Sequence, residues 1–175
     1  MTNGTYALLM TILFFVSPFL TFVISLCLFR NVISQIFFVA FAFYFGWQVG
    51  PNMDLLNHYH NYLTFLGKSL WQMFVDPYTL YIGKEPFHFL FKYILSIFRA
   101  SQRVFAGCAC AFYAACFILY MRQMRQYFQH LNLIKLIILI GAAVAIEFHW
   151  FFGLRFWTGA FVFMIFYVIY MVTNN

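Results

Sequence analysis

Five long apolar runs, separated by short polar breaks, recur along the chain at about positions 6–29, 33–49, 104–121, 133–152 and 156–172. Each is close to the ~20 residues that an α-helix needs to cross about 30 Å of hydrocarbon. The pattern predicts an all-α, polytopic transmembrane helical bundle of about five spans, and a single integral membrane domain over residues 1–175. Between the second and third spans, an outer loop over 50–103 is predicted to form interfacial or re-entrant amphipathic helices. Its last part, Pro86 to Phe98 (PFHFLFKYILSIF), is short for a crossing, carries His88 and Lys92, and is followed by Arg99 and Arg103.

The topology turns on that segment. If it stays on one side, the Arg122-to-Lys135 loop joins Arg30 on the cytoplasmic side, and Asp54, Glu85 and Arg155 share the outer face. If it crosses, Arg122, Arg125 and Lys135 lie outside and Arg155 lies opposite Asp54. The short length favours the first arrangement, and the uncharged start of the chain suits an outside beginning. The first run, Tyr6 to Phe29, has neither a basic flank nor a small-residue cleavage site, so it is expected to be a retained span rather than a removable signal.

Composition leaves little room for a soluble fold. At 65% hydrophobic, 8% charged and with 27 phenylalanines, the chain has more apolar surface than 175 residues can bury in water. The net charge of +6 is dispersed between the apolar runs, which marks it as a topology signal and not a nucleic-acid footprint. Cys27, Cys108, Cys110 and Cys116 all fall in apolar segments without metal or redox spacing, so each is expected to pack.

Candidate chemistry gathers at three places. In Met53 to Tyr62 (MDLLNHYHNY), Pro51-Asn52 ends the second span, and Asp54 suits the cap or first turn of a new helix. At helical spacing Asp54, Asn57, His58 and Asn61 fall on one side, facing water or a cavity. Leu55, Tyr59, Tyr62, Leu63 and Leu66 gather toward the other. Two readings stand: Asp54 caps the helix and the histidines are solvated, or Asp54 and His58, four apart, form an acid/base pair. Lys84-Glu85-Pro86 is either helix punctuation or a second carboxylate site. The third cluster, Glu147 to Gly159 (EFHWFFGLRFWTG), puts an acid and a base where two spans meet. Either they line a cavity, or Arg155 snorkels beside Glu147 while Trp150 and Trp157 join the aromatic belt.

An acid with a tyrosine soon after it (Asp54, Tyr59), Glu-Pro-Phe opening a helix (Glu85, Pro86, Phe87) and Gly-x-Arg at a later membrane boundary (Gly153, Leu154, Arg155) together resemble the EpsG family. These are polytopic bacterial proteins of exopolysaccharide, capsule and O-antigen clusters, akin to Wzy-type polymerases. The resemblance runs from the second span to the last, on short motifs. It departs at Phe87 and Phe156, where members often carry Gly and Gln. Members also have further spans, so the resemblance implies a truncated or partial one.

What the resemblance implies is a glycosyltransferase of the bacterial cytoplasmic membrane. It would join oligosaccharides carried on polyprenyl pyrophosphate at the outer face, alongside other polysaccharide-assembly membrane proteins. Asp54, His58 and Glu85 are the candidates for the base that takes the attacking hydroxyl's proton. Arg155 offers a planar cationic fork to the pyrophosphate. Tyr59, Trp150 and Trp157 suit stacking on sugar or lipid, and His88 joins them as a substrate-binding candidate. No metal, cofactor or nucleic acid is expected: two histidines two apart on a helix diverge, and no phosphate-cradling glycine loop is present. The alternative from another class is a non-catalytic transporter or an accessory subunit of polysaccharide export, with Glu147 and His149 on an ion path.

Overall fold

The computed structural model describes residues 3–51, 53–76 and 86–127, and every element within them is an α-helix. The first apolar run is divided. Helix α1 spans Asn3–Val16 and α2 spans Pro18–Cys27, with Ser17 extended between them at φ −151° and ψ 90°. The Ser17 side chain accepts from the Leu20 amide at 3.3 Å, and Pro18 takes the first helical position, where its missing N–H costs nothing.

The two halves fold back on each other beside α3 (Val32–Val49). The Tyr6 hydroxyl is 2.8 Å from Ser34 Oγ, and the Phe14 ring lies 6.0 Å from both Phe37 and Tyr44, so α1 runs parallel to α3. Returning, α2 stacks Phe22 on Phe41 at 4.5 Å, and the Phe29 carbonyl then accepts from Gln35 Nε2 at 2.9 Å. Tyr6 and Phe29 thus bond to sequence neighbours, Ser34 and Gln35, whereas a straight helix would set them about 34 Å apart. At about 21 Å and 15 Å, neither leg reaches across about 30 Å of hydrocarbon. The expected span over 6–29 is therefore a hairpin, because a capping serine and a proline interrupt the helical ladder.

Among the described residues, two helices are long and apolar enough to cross a membrane: α3, and residues Gln102–Arg122 of α7 (Gln102–Tyr127). They pack antiparallel. Gln35 Oε1 accepts from Arg122, Phe38 stacks on Phe117 at 6.0 Å, and Gly46 meets Ala106 and Cys110. A Cβ on Gly46 would stand 2.6 Å from the Ala106 carbonyl oxygen, and one on Gly107 would stand 2.9 Å from the Phe43 ring. Glycine and alanine therefore set the helix separation, and Phe22, Phe41, Cys110, Ala114 and Phe117 fill the core beside it. Cys110 and Cys116 pack as expected, but Cys27 is exposed at the end of α2.

The antiparallel pairing sets Arg30 and Arg122 at the same end of the α3–α7 pair. Antiparallel order is what two helices joined without a further crossing between them would show. Tyr6 lies at that same end, so α1 begins level with Arg30 and not opposite it.

At the far end, α3 stops at Gly50, whose φ of +74° suits glycine, and Pro51 follows. Beyond it come α4 (Met53–Leu63), α5 (Leu70–Val75) and α6 (Pro86–Ile97). Helix α4 packs on both α6 and α7. Helix α6 ends in a Schellman turn, with the Arg99 amide bonded to Ser96 O at 3.1 Å and the Ala100 amide to Leu95 O at 3.2 Å. Arg99 takes the left-handed position at φ +47°, where glycine is the usual residue. Six-residue α5 carries a Ser69/Gln72 capping box, and an ion pair from Lys68 to Asp76 joins its ends. The expected spans 133–152 and 156–172 lie outside the described residues.

Candidate functional site

The polar lobe is built from α4, α6 and the first turns of α7. On α4 the buried side chains are Leu55, His58 and Tyr62. At 100° per residue His58 falls about 60° from Leu55, and Tyr62 about 20°, on the same flank. His58, at 7% exposure, therefore turns into the lobe with Leu55 instead of joining exposed Asn57. Leu63 and Leu66, expected on the apolar side, are exposed. The buried arc is centred between Leu55 and Tyr62, so His58, about 50° from that centre, is carried inward while Leu63, about 90° from it, is not.

Tyr62 holds the lobe together. Fully buried, its hydroxyl donates toward the Ala100 carbonyl at 3.0 Å, with the Leu95 carbonyl at 3.4 Å, tying α4 to the α6–α7 turn. Burial, followed by the neighbouring Tyr59, pushes its phenol above the ordinary value. Tyr59 is half-buried, its ring 5.6 Å from Tyr62 and edge-on to Phe105 at 5.5 Å. Phe91 of α6 closes the group against Phe105 and Phe112.

Helix α6 turns polar as well as apolar side chains inward, with Leu95 and Phe91 packed in the cluster around Phe105. Lys92, at 1% exposure, and Ser96 are buried, while Leu90, Ile94, Ile97 and Phe98 point outward. An ionised ammonium is expensive to bury, so a buried lysine on a helix with an apolar outer face is a functional candidate. The sequence reading did not single out Lys92 for chemistry. Its signal was present: apolar residues at 90, 94 and 97 mark one face, and Lys92 and Ser96 fall off it.

The backbone sets Asp54 as the second residue of α4 and His88 as the third of α6. Because α4 packs on α6, these two helices carry Asp54, His58, Tyr59, His88 and Lys92 into one lobe. Glu85, Trp150, Arg155 and Trp157 lie outside the described residues, as does Glu147. Within the lobe, His58 can exchange a proton and Lys92 can hold an anion. Comparison with protein-family models, with curated proteins and with solved structures finds no match to the chain.

Proposed function

We propose that the protein is a multi-pass protein of a bacterial cytoplasmic membrane that acts as an exopolysaccharide or O-antigen polymerase. On this reading it transfers a growing glycan from polyprenyl pyrophosphate to the hydroxyl of a second lipid-linked oligosaccharide. The observation that carries the reading is the packing of α4 on α6, the two helices on which the Asp54–Tyr59 motif and the Pro86-Phe87 motif lie. The outward surface supports the membrane setting: Leu8, Ile12, Phe15, Phe19, Leu90 and Ile97 are exposed, while Lys92, His58 and Ser96 are buried.

Chemically, a carboxylate or histidine takes the hydroxyl proton as the oxygen attacks the anomeric carbon, the bond to the pyrophosphate oxygen breaks, and the lipid pyrophosphate leaves. Arg155 and a second cation would offset the charge that builds on that leaving group. The test is a polymer ladder measured alongside membrane abundance. Asp54→Asn, Glu85→Gln and Arg155→Lys should each insert normally and lose most long polymer. Ladders unchanged in all three would remove the polymerase reading and leave a carrier or accessory role.

A further inference from the structure

The hairpin of α1 and α2 is built the opposite way round from one made for water. Its polar groups are inside: Thr21, Ser25 and, on the facing α3, Ser34 are buried, and the Tyr6 hydroxyl bonds to Ser34 at 2.8 Å. Its outer surface is largely apolar. Leu8, Ile12 and Val23 are exposed along the legs, and at the tip Phe15, Val16 and Phe19 are exposed by 82%, 77% and 64%. The hydroxyl of Thr11, on the same surface, donates to the Ala7 carbonyl at 2.8 Å and so offers no hydrogen to solvent. No charged residue occurs between Thr5 and Phe29. Turns that meet water favour glycine, asparagine and aspartate, and a free tip of large apolar side chains is costly there.

The break between the legs is also closed within the chain. The Ser17 amide donates to the Leu13 carbonyl at 2.7 Å, and the Ser17 carbonyl accepts from both the amide and the hydroxyl of Thr21 at 3.1 Å. The Ser17 hydroxyl accepts from the Leu20 amide, and Pro18 has no N–H to satisfy. Hydrocarbon demands such internal pairing, because no water reaches the backbone there. Both outer ends of the legs lie near exposed Arg30 and Arg122, whose charge suits a layer of lipid phosphates. Legs of about 21 Å and 15 Å then set the tip inside about 30 Å of hydrocarbon, short of its far boundary. We propose that the hairpin is a re-entrant membrane element that enters and leaves on the side of Arg30 and Arg122, with Phe15, Val16 and Phe19 covered by lipid acyl chains. The proposal rests on α3 crossing the membrane and is independent of the polymerase chemistry.

The test uses the full chain in right-side-out and inverted bacterial membrane vesicles. Phe15→p-benzoylphenylalanine and Phe19→p-benzoylphenylalanine, activated by light in the otherwise natural protein, should attach chiefly to phospholipid, read by mass as a lipid adduct. Attachment of both to protein instead, within the chain or in a second copy, would overturn the proposal. Depth is read with a membrane-impermeant maleimide, in chains whose four cysteines are replaced by alanine and which carry Arg30→Cys, Val16→Cys or Gln48→Cys singly. Arg30→Cys should react in one kind of vesicle and Gln48→Cys in the other, while Val16→Cys should react in neither until denaturing detergent is added. Reaction of Val16→Cys from either side would overturn the re-entrant path, and reaction from the Gln48 side would restore a crossing. Arg30→Cys and Gln48→Cys reacting from the same side would remove the crossing of α3 and the proposal with it. The crosslinking arm keeps the natural cysteines, so it decides the matter even if the alanine background fails to fold. Neither readout involves polymer, so failure of the polymerase reading leaves both outcomes unchanged.

Discussion

Between α3 and α7 the interface is made of Phe38, Gly46, Ala106, Cys110 and Phe117, and its polar pair, Gln35 with Arg122, sits at one end. Among α4, α6 and the start of α7, the buried set includes His58, Tyr62, Lys92 and Ser96. The first region brings backbones close and excludes polar atoms, which suits a rigid frame. The second region buries ionisable groups that a frame does not need, at a cost that stability alone does not explain. The contrast is between a close-packed apolar seam and a lobe that takes ionisable side chains inside.

The contrast breaks most sharply at Gly46. Gly46→Leu would drive a side chain into the Ala106 carbonyl, and the unfolding free energy should fall by about 3 kcal/mol or more. Thermal denaturation in detergent is the readout, and an unchanged midpoint would mean that α3 and α7 are not the frame. In the lobe, Tyr62→Phe removes the hydroxyl that reaches Ala100 and Leu95, at an expected cost of about 1–3 kcal/mol.

The same substitution should alter the alkaline limb of stability. Tyr62 holds its proton more tightly folded than unfolded, so its contribution is complete below its ordinary value of 10.0 and is lost as pH rises through the higher native value. Stability of the natural chain should therefore fall more steeply above pH 10 than that of Tyr62→Phe. Equal slopes in denaturant titrations at several alkaline pH values would take Tyr62 out of that limb.

A smaller effect is expected at the hairpin. Ser17→Ala should cost about 1 kcal/mol through loss of the cap. Spin labels at exposed Leu8 and Leu28 should stay close in the natural chain, and a separation near 30 Å, that of one straight helix, would refute the fold-back. The smallest change is Arg99→Gly, which relieves the left-handed backbone and should raise stability by up to about 1 kcal/mol. A lower midpoint in thermal denaturation would mean that the Arg99 side chain contributes more than the backbone relief returns.

The helical class, the short 86–98 element and the pairing of Arg30 with Arg122 at one end were legible from apolar run lengths and the placement of charge. The hairpin was less so. Ser17-Pro18 is a recognisable cap and first-turn pair, but it sits in a run whose mean hydropathy hides the break. The small residues at 106, 110 and 114 also fall at four-residue spacing, yet only the facing Gly46 shows which helix they admit. His58 was misplaced because a wheel gives angles on one helix and not the position of the neighbour that covers it. Lys92 went unremarked for the opposite reason: its neighbours are so apolar that the charge reads as an interruption, when the fold gives it the interior.

The fold-back of α1 and α2 bears on how the chain is made. For a polypeptide threaded into a bilayer as it leaves the ribosome, a hairpin with legs of 14 and 10 residues offers nothing long enough to be passed across. Its two ends meet at the same end of α3, and α3 is the first helix among the described residues with the length to cross. Were α3 to cross, the stretch that follows it on the far side would be α4, the helix that carries Asp54 and His58.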